Sequence, residues 1–183
     1  MQVDMERLAD AMETAVIVPV ASADRLLGRF QRALEHSAGL PVAHVTVLYP
    51  FVPPDRVDTG TIEEIGAALA EVPAFSCTFS QVKWFGEEVA WLGPEPDRQF
   101  RELTRSVWRR FPDHPPYRGV HPDSKPHLTI GTVTIASREK MRSAAIEVEA
   151  ELPITARIDH ARLVARSPTA DSWRTVAEFT LPG

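Results

Sequence analysis

The chain has 183 residues, enough for one sizeable core or two small lobes sharing one, and its 44% hydrophobic and 25% charged content is that of a folded globular protein. A formal net charge of −5 and a pI near 5.7 exclude a broad basic face for long nucleic acid, while permitting a small phosphorylated ligand or a short RNA end. The single Cys77 excludes an internal disulfide; within FSCTF it reads as a buried structural thiol.

Acidic residues precede the first apolar run, Ala15 to Val18, and Pro19 halts it. That is too short for a signal-peptide core or a membrane span, so the expectation is a cytoplasmic protein without membrane contact. TAVIVPV (14–20) reads as a strand. The segment 21–39 reads as a helix with Ser22 or Asp24 as cap, apolar positions at Leu26, Leu27, Phe30 and Leu34, and Gly39 beyond its end. AHVTVLYPF (43–51) is a strand carrying His44 and Thr46 two positions apart, hence on one face; a regular strand sends Tyr49 to the other face, into the core. After the turn signal VPPDRVDTG, TIEEIGAALAEV (61–72) predicts a helix with a T-x-x-E capping box, and AFSCTFSQVKWF (74–85) and EVAWLG (88–93) predict strands about a turn at Gly86. A second cycle follows: a helix over 95–111, a Pro-rich loop over 112–126, the strand KPHLTIGTV, a helix over 137–150, and strands over 154–165 and 173–181.

The order β-α-β-α-β therefore occurs twice. ADRLLGRFQRAL superposes on PDRQFRELTRSV with Asp24 on Asp97, Arg25 on Arg98 and Arg32 on Arg105, all offset by 73, while the H-x-T motifs at His44/Thr46 and His127/Thr129 are offset by 83. The extra residues fit within the Pro-rich loop. Alternating α/β patterns always align with themselves to some degree, and a lone H-x-T is also what a histidine satisfied by a neighbouring hydroxyl looks like. Two such pairs in equivalent elements read instead as a site, because a pseudo-twofold axis brings them face to face across one cleft.

H-x-T followed by an apolar residue, twice, about 80 residues apart, resembles the two-histidine (2H) phosphoesterase superfamily, and HVTVLYPFVPP with the PPY-x-G…PHLTI pattern of residues 115–130 is similar to its bacterial 2′-5′ RNA ligase-like branch. The resemblance covers nearly the whole chain. It implies an α+β, bilobal pseudo-twofold fold with two antiparallel sheets lining a central cleft and helices outside. The lobe halves would fall near 14–85 and 88–181, with strand exchange between them. It also implies metal-independent hydrolysis of 2′,3′-cyclic phosphates of nucleotides or RNA ends to 2′-phosphates, with 2′-5′ ligation as the reverse sense. A binding module for a nucleotide or RNA end, without turnover, is the alternative on the same fold.

The chemistry of the residues is compatible with hydrolysis. Opening a cyclic phosphodiester needs a base for the attacking water and an acid for the departing ribose oxygen. Two imidazoles of ordinary pKa near ~6.5 can hold one form of each at neutral pH. Thr46 and Thr129 can supply hydroxyl donors to the developing negative charge. The family's usual arrangement implies His127 as base and His44 as acid. Tyr117, Arg118 and Lys125 precede the second motif, where the loop is either a lid that brings a phenol and cations to the phosphate or a solvated Pro-rich connection. His114, His121 and His127 are spaced across prolines without a ligand set, so no metal and no cofactor are expected. The expected partner is a small cyclic-phosphate nucleotide or an RNA terminus, bound by a monomer.

Overall fold

The computed structural model describes residues 3–33, 43–121, 124–133, 138–168 and 172–183. Among these residues eight strands and four α-helices follow in the order β1 (Glu13–Pro19), α1 (Ala21–Ala33), β2 (His44–Leu48), α2 (Thr59–Leu69), β3 (Phe75–Phe85), β4 (Val89–Glu95), α3 (Arg98–Arg110), β5 (Leu128–Thr132), α4 (Arg138–Ala150), β6 (Ile154–Ile158), β7 (His160–Ser167) and β8 (Ser172–Thr180). The end of the first predicted helix, with Leu34, His36 and Gly39, lies outside the described residues, as does Ser137.

Each helix turns one apolar stripe, spaced i, i+3, i+4, toward the sheet. Leu26, Leu27 and Phe30 of α1, Ile62, Ile65 and Leu69 of α2, Phe100, Leu103 and Val107 of α3, and Met141, Ala144 and Val148 of α4 join one buried cluster with Val16, Val18, Val45, Leu92 and Leu128. Burying each large aliphatic side chain contributes about 1.5–3 kcal/mol. Cys77 belongs to this core at 2% exposure, and burial pushes its thiol pKa up to about 11. It is a structural thiol, as the sequence suggests. The start of α2 differs from the expected capping box. Asp58 is the N-cap and accepts from the Thr61 N–H at 2.7 Å, while Thr61 sits inside the first turn.

All eight strands pair antiparallel in the order β6-β3-β4-β5-β2-β1-β7-β8. The two expected sheets are thus joined edge to edge, through the single paired position Val45↔Leu128 of β2 and β5. The predicted strand 154–165 is two strands, β6 and β7, which occupy opposite halves of this order although only Asp159 separates them. One residue spans less than about 4 Å, so the order must curl until its ends approach. Two bonds close that seam: Leu181 N–H to the Asp159 carbonyl at 2.8 Å and Ala74 N–H to the Pro182 carbonyl at 2.7 Å.

The pseudo-twofold relation extends to irregularities. Along β1 and β2, Ile17 pairs with Thr46 and Val16 with Leu48, so Val47 is an extra residue. Along β4 and β5, Trp91 pairs with Thr129 and Ala90 with Gly131, so Ile130 is the extra one. A β-bulge therefore follows the threonine of each H-x-T motif, at equivalent positions. Bulges re-aim the side chains beyond them.

Candidate functional site

The Val45↔Leu128 pair decides the local geometry. Both side chains point into the core, so the residues on either side of them point to the opposite, open face. One step along the register sets His44 across from Thr129 and His127 across from Thr46, all four half-buried. The two histidines are then diagonal neighbours on adjacent antiparallel strands, about 7–8 Å apart at the backbone. That leaves room for one phosphate between two rings, with a hydroxyl beside each.

His127 is held in one orientation. Its Nδ1 lies 2.8 Å from the Lys125 carbonyl. A carbonyl only accepts, so Nδ1 carries the hydrogen and Nε2 carries the lone pair. The ring is walled by Phe85, edge-on at 5.1 Å, and by Trp91 at 6.0 Å. Burial lowers the His127 pKa below its ordinary value, outweighing the Lys125 bond that raises it. The neutral imidazole is favoured, which suits a base.

The open face continues on both sides of the motifs. Beside Thr129, Trp91 is 6% exposed and covered by Phe85, whose ring stacks on it at 4.6 Å and is itself 37% exposed. Lys83 lies over the Trp91 ring at 5.7 Å. Beside Thr46, the bulge at Val47 returns Tyr49 to the open face, where it packs with Ala15, Ile17, Val164 and Trp173 and donates to Glu13 Oε2 at 2.7 Å. Regular alternation places Tyr49 in the core; the extra residue reverses it. Phe85, Trp91 and Tyr49 are site-face residues that alternation alone did not reveal, since each lies beyond or beside a bulge.

Tyr117, Lys125 and His127 line one cavity of about 720 Å³ together with Phe85, Glu88, Val89, Val120, His121 and Ser124. The Tyr117 hydroxyl bonds the hydroxyls of Ser124 and Thr46, and burial raises its pKa above the ordinary phenol value, so it stays protonated. Its backbone is unusual. Tyr117, Arg118 and Gly119 have φ of 50°, 55° and 76°, and left-handed non-glycine residues cost of order 1–3 kcal/mol each. The turn is pinned by Tyr117 N–H to the Tyr49 carbonyl at 2.7 Å. Strain and anchoring together put the phenol between the two motifs. Arg118 goes elsewhere, into a depression with Glu13, His114 and Arg166. Among the described residues no three His, Cys, Asp or Glu side chains converge as a metal site would require, His114 lying against Phe51 and His121 against Tyr117.

A family model described as the 2′-5′ RNA ligase superfamily matches residues 18–170. The chain belongs to that superfamily. Solved structures of low identity share its fold. Escherichia coli LigT complexed with 3′-AMP aligns with a TM-score of 0.56 at 16% identity, covering 94% of this chain and 99% of that one. The NADP+ complex of the same protein gives 0.57 at 17%, covering 96% and 100%. TT0787 of Thermus thermophilus gives 0.60 at 15%, covering 94% and 99%. No curated protein matches the sequence. This superfamily member shares the α+β, pseudo-twofold fold of LigT, a protein whose structures hold small nucleotides. Among the described residues no helix is long and apolar enough to cross a membrane.

Proposed function

We propose that this chain is a metal-independent phosphoesterase that opens 2′,3′-cyclic phosphates of nucleotides or RNA ends to 2′-phosphates, with 2′-5′ ligation when the 5′ hydroxyl of a second strand takes the place of water. The observation that carries the reading is the register of β2 against β5, which sets two H-x-T pairs diagonally on one open face. His127 acts as base. Its Nδ1–H is tied to Lys125, which leaves Nε2 as the proton acceptor for water attacking phosphorus. His44, on the other strand, protonates the departing 3′ oxygen; in ligation the same roles serve an attacking 5′ hydroxyl, and the two exchange when a 2′-5′ linkage is cleaved back to the cyclic phosphate. Each role is worth about 10²–10⁴ in rate. The Thr46 and Thr129 hydroxyls, with Tyr117 bonded to Thr46, donate to the equatorial oxygens as their charge grows. Lys125 adds a cation at the cavity mouth. Phe85 offers the partly exposed ring on which a base can stack. The superfamily match and the nucleotide complexes of LigT support the same substrate class.

The test is incubation of the purified protein, with EDTA, with each of the four nucleoside 2′,3′-cyclic monophosphates, products being separated by chromatography. Appearance of 2′-monophosphates, lost in His44→Ala and His127→Ala, is expected. Saturable binding without turnover would select the binding module, and undiminished turnover in the double variant would place the chemistry elsewhere.

A further inference from the structure

On the far side of Tyr117 a second groove of about 330 Å³ runs between α3 and residues 115–121 and 124–126, with Thr46 and Val47 at its floor. One stripe of α3 forms its wall: Arg101, Thr104, Arg105 and Trp108, at i, i+3, i+4 and i+7. Among the described residues no Asp or Glu lines it. The charges of α3 make this specific. Arg98 is answered by Glu102, Arg101 by Asp97, Arg109 by Glu71, and Arg110 by Glu64 and Glu71. Arg105 is exposed, faces the groove, and has no carboxylate partner among the described residues. Among the five arginines of α3 this guanidinium, beside a 41%-exposed Trp108, is the exception. Cation and aromatic side by side are what a nucleotide unit needs, one for its phosphate and one for its base.

The groove also connects to the motifs. Tyr117, His121 and Ser124 line both it and the cavity of His127, so the two spaces meet around one phenol ring. A 2′,3′-cyclic phosphate occupies both ribose hydroxyls, and any further chain can leave only through the 5′ oxygen. The phosphodiester on that oxygen is the first anion beyond the reacting one. Resting on the reading of His44 and His127 as the seat of a terminal phosphate, we propose that the α3 groove holds this 5′-side phosphodiester on Arg105 and the preceding base on Trp108. The chain therefore selects oligonucleotide ends over free mononucleotides.

The experiment is equilibrium binding by calorimetry, without turnover, of two non-reacting probes that share a terminal base: a nucleoside 3′-monophosphate and a dinucleotide ending in the same 3′-phosphate. The dinucleotide should bind wild-type protein at least about tenfold more tightly. Arg105→Ala and Trp108→Ala should each remove most of that advantage and leave mononucleotide affinity unchanged, which also reports an intact fold. Arg105→Lys should keep part of it, since charge survives without the planar fork. The salt dependence of dinucleotide binding should flatten in Arg105→Ala, its log–log slope falling by roughly 0.7 for one lost phosphate contact on a single strand. Equal wild-type affinity for the two probes, or equal losses for both in the variants, would overturn the groove assignment. Because no chemistry is read, an inactive histidine pair would not alter this result, and turnover of mononucleotides without a dinucleotide advantage would sink the groove alone.

Discussion

Phe85→Ala separates packing from proton chemistry at the candidate base. The ring is 37% exposed, stacks on Trp91 at 4.6 Å and meets His127 edge-on at 5.1 Å. Full burial of a Phe side chain is worth about 1.5–3 kcal/mol. With roughly two-thirds of it covered, the lost burial is ~1–2 kcal/mol, and the aromatic pair adds about 0.5–1.5. A total near ~2 kcal/mol lowers Tm by about 4–8 °C for a chain of this size. The proton effect has a definite sign. Burial holds the His127 pKa below 6.5, so the folded state takes up a proton less readily than the unfolded chain. Stability linked to His127 is then full above about pH 6.5 and declines as pH falls from there to the folded value. Removing Phe85 lets water reach the ring, and the folded pKa rises toward 6.5. The acidic limb of kcat/KM for a cyclic nucleotide should move to higher pH, and the difference in unfolding free energy between pH 7.5 and pH 5 should shrink. Both are measurable, by initial rates across pH and by denaturant titration at the two values. A variant that loses stability as expected but keeps its acidic limb unchanged would show that Phe85 does not set the proton affinity of His127, and that the wall is packing alone.

Thr46→Val and Thr129→Val keep side-chain shape and delete a donor, so each should lower kcat by about 10–10³, with circular dichroism unchanged. The losses from His44→Ala and His127→Ala should not multiply in the double variant, because a pair acting as a unit is already disabled by one change. Gly93→Ala would set a Cβ 3.1 Å from Trp91 Cζ3 and 3.2 Å from Lys83 Nζ. The lysine can swing away and the indole cannot, so a loss of about 1–2 kcal/mol on denaturation is expected, together with a lowered rate as Trp91 presses on Thr129. Glu71 accepts from Ser106 and is bonded by Arg109 and Arg110, which holds its pKa down to about 2 from 4.5. A carboxylate with a depressed folded pKa stabilises above the unfolded value and loses that contribution as pH falls through about 2. Glu71→Gln should therefore lower Tm at pH 7, by an amount that shrinks below pH 4.5 and vanishes near pH 2.

Local pattern determined much of this protein. Helical spacing found the four helices that cover the core face, and period-two alternation placed His44 with Thr46 and His127 with Thr129 on common faces. Both rest on contacts a few residues long, which sequence displays directly. The repetition of H-x-T made the two halves legible as equivalents. What sequence could not decide depends on pairing between distant segments. That the strand predicted over 154–165 breaks at Asp159 and enters two halves of a curled sheet follows from closure of the whole order, to which no local residue testifies. The bulges at Val47 and Ile130 are differences in count between two strands, visible only when both are aligned. They sent Tyr49 to the open face against simple alternation. Arg118 and Lys125 look alike in the loop, yet the left-handed turn at Tyr117 to Gly119 sends Arg118 toward Glu13 and leaves Lys125 beside His127. Side-chain direction after a strained turn is decided by what anchors the backbone, here the distant Tyr49 carbonyl.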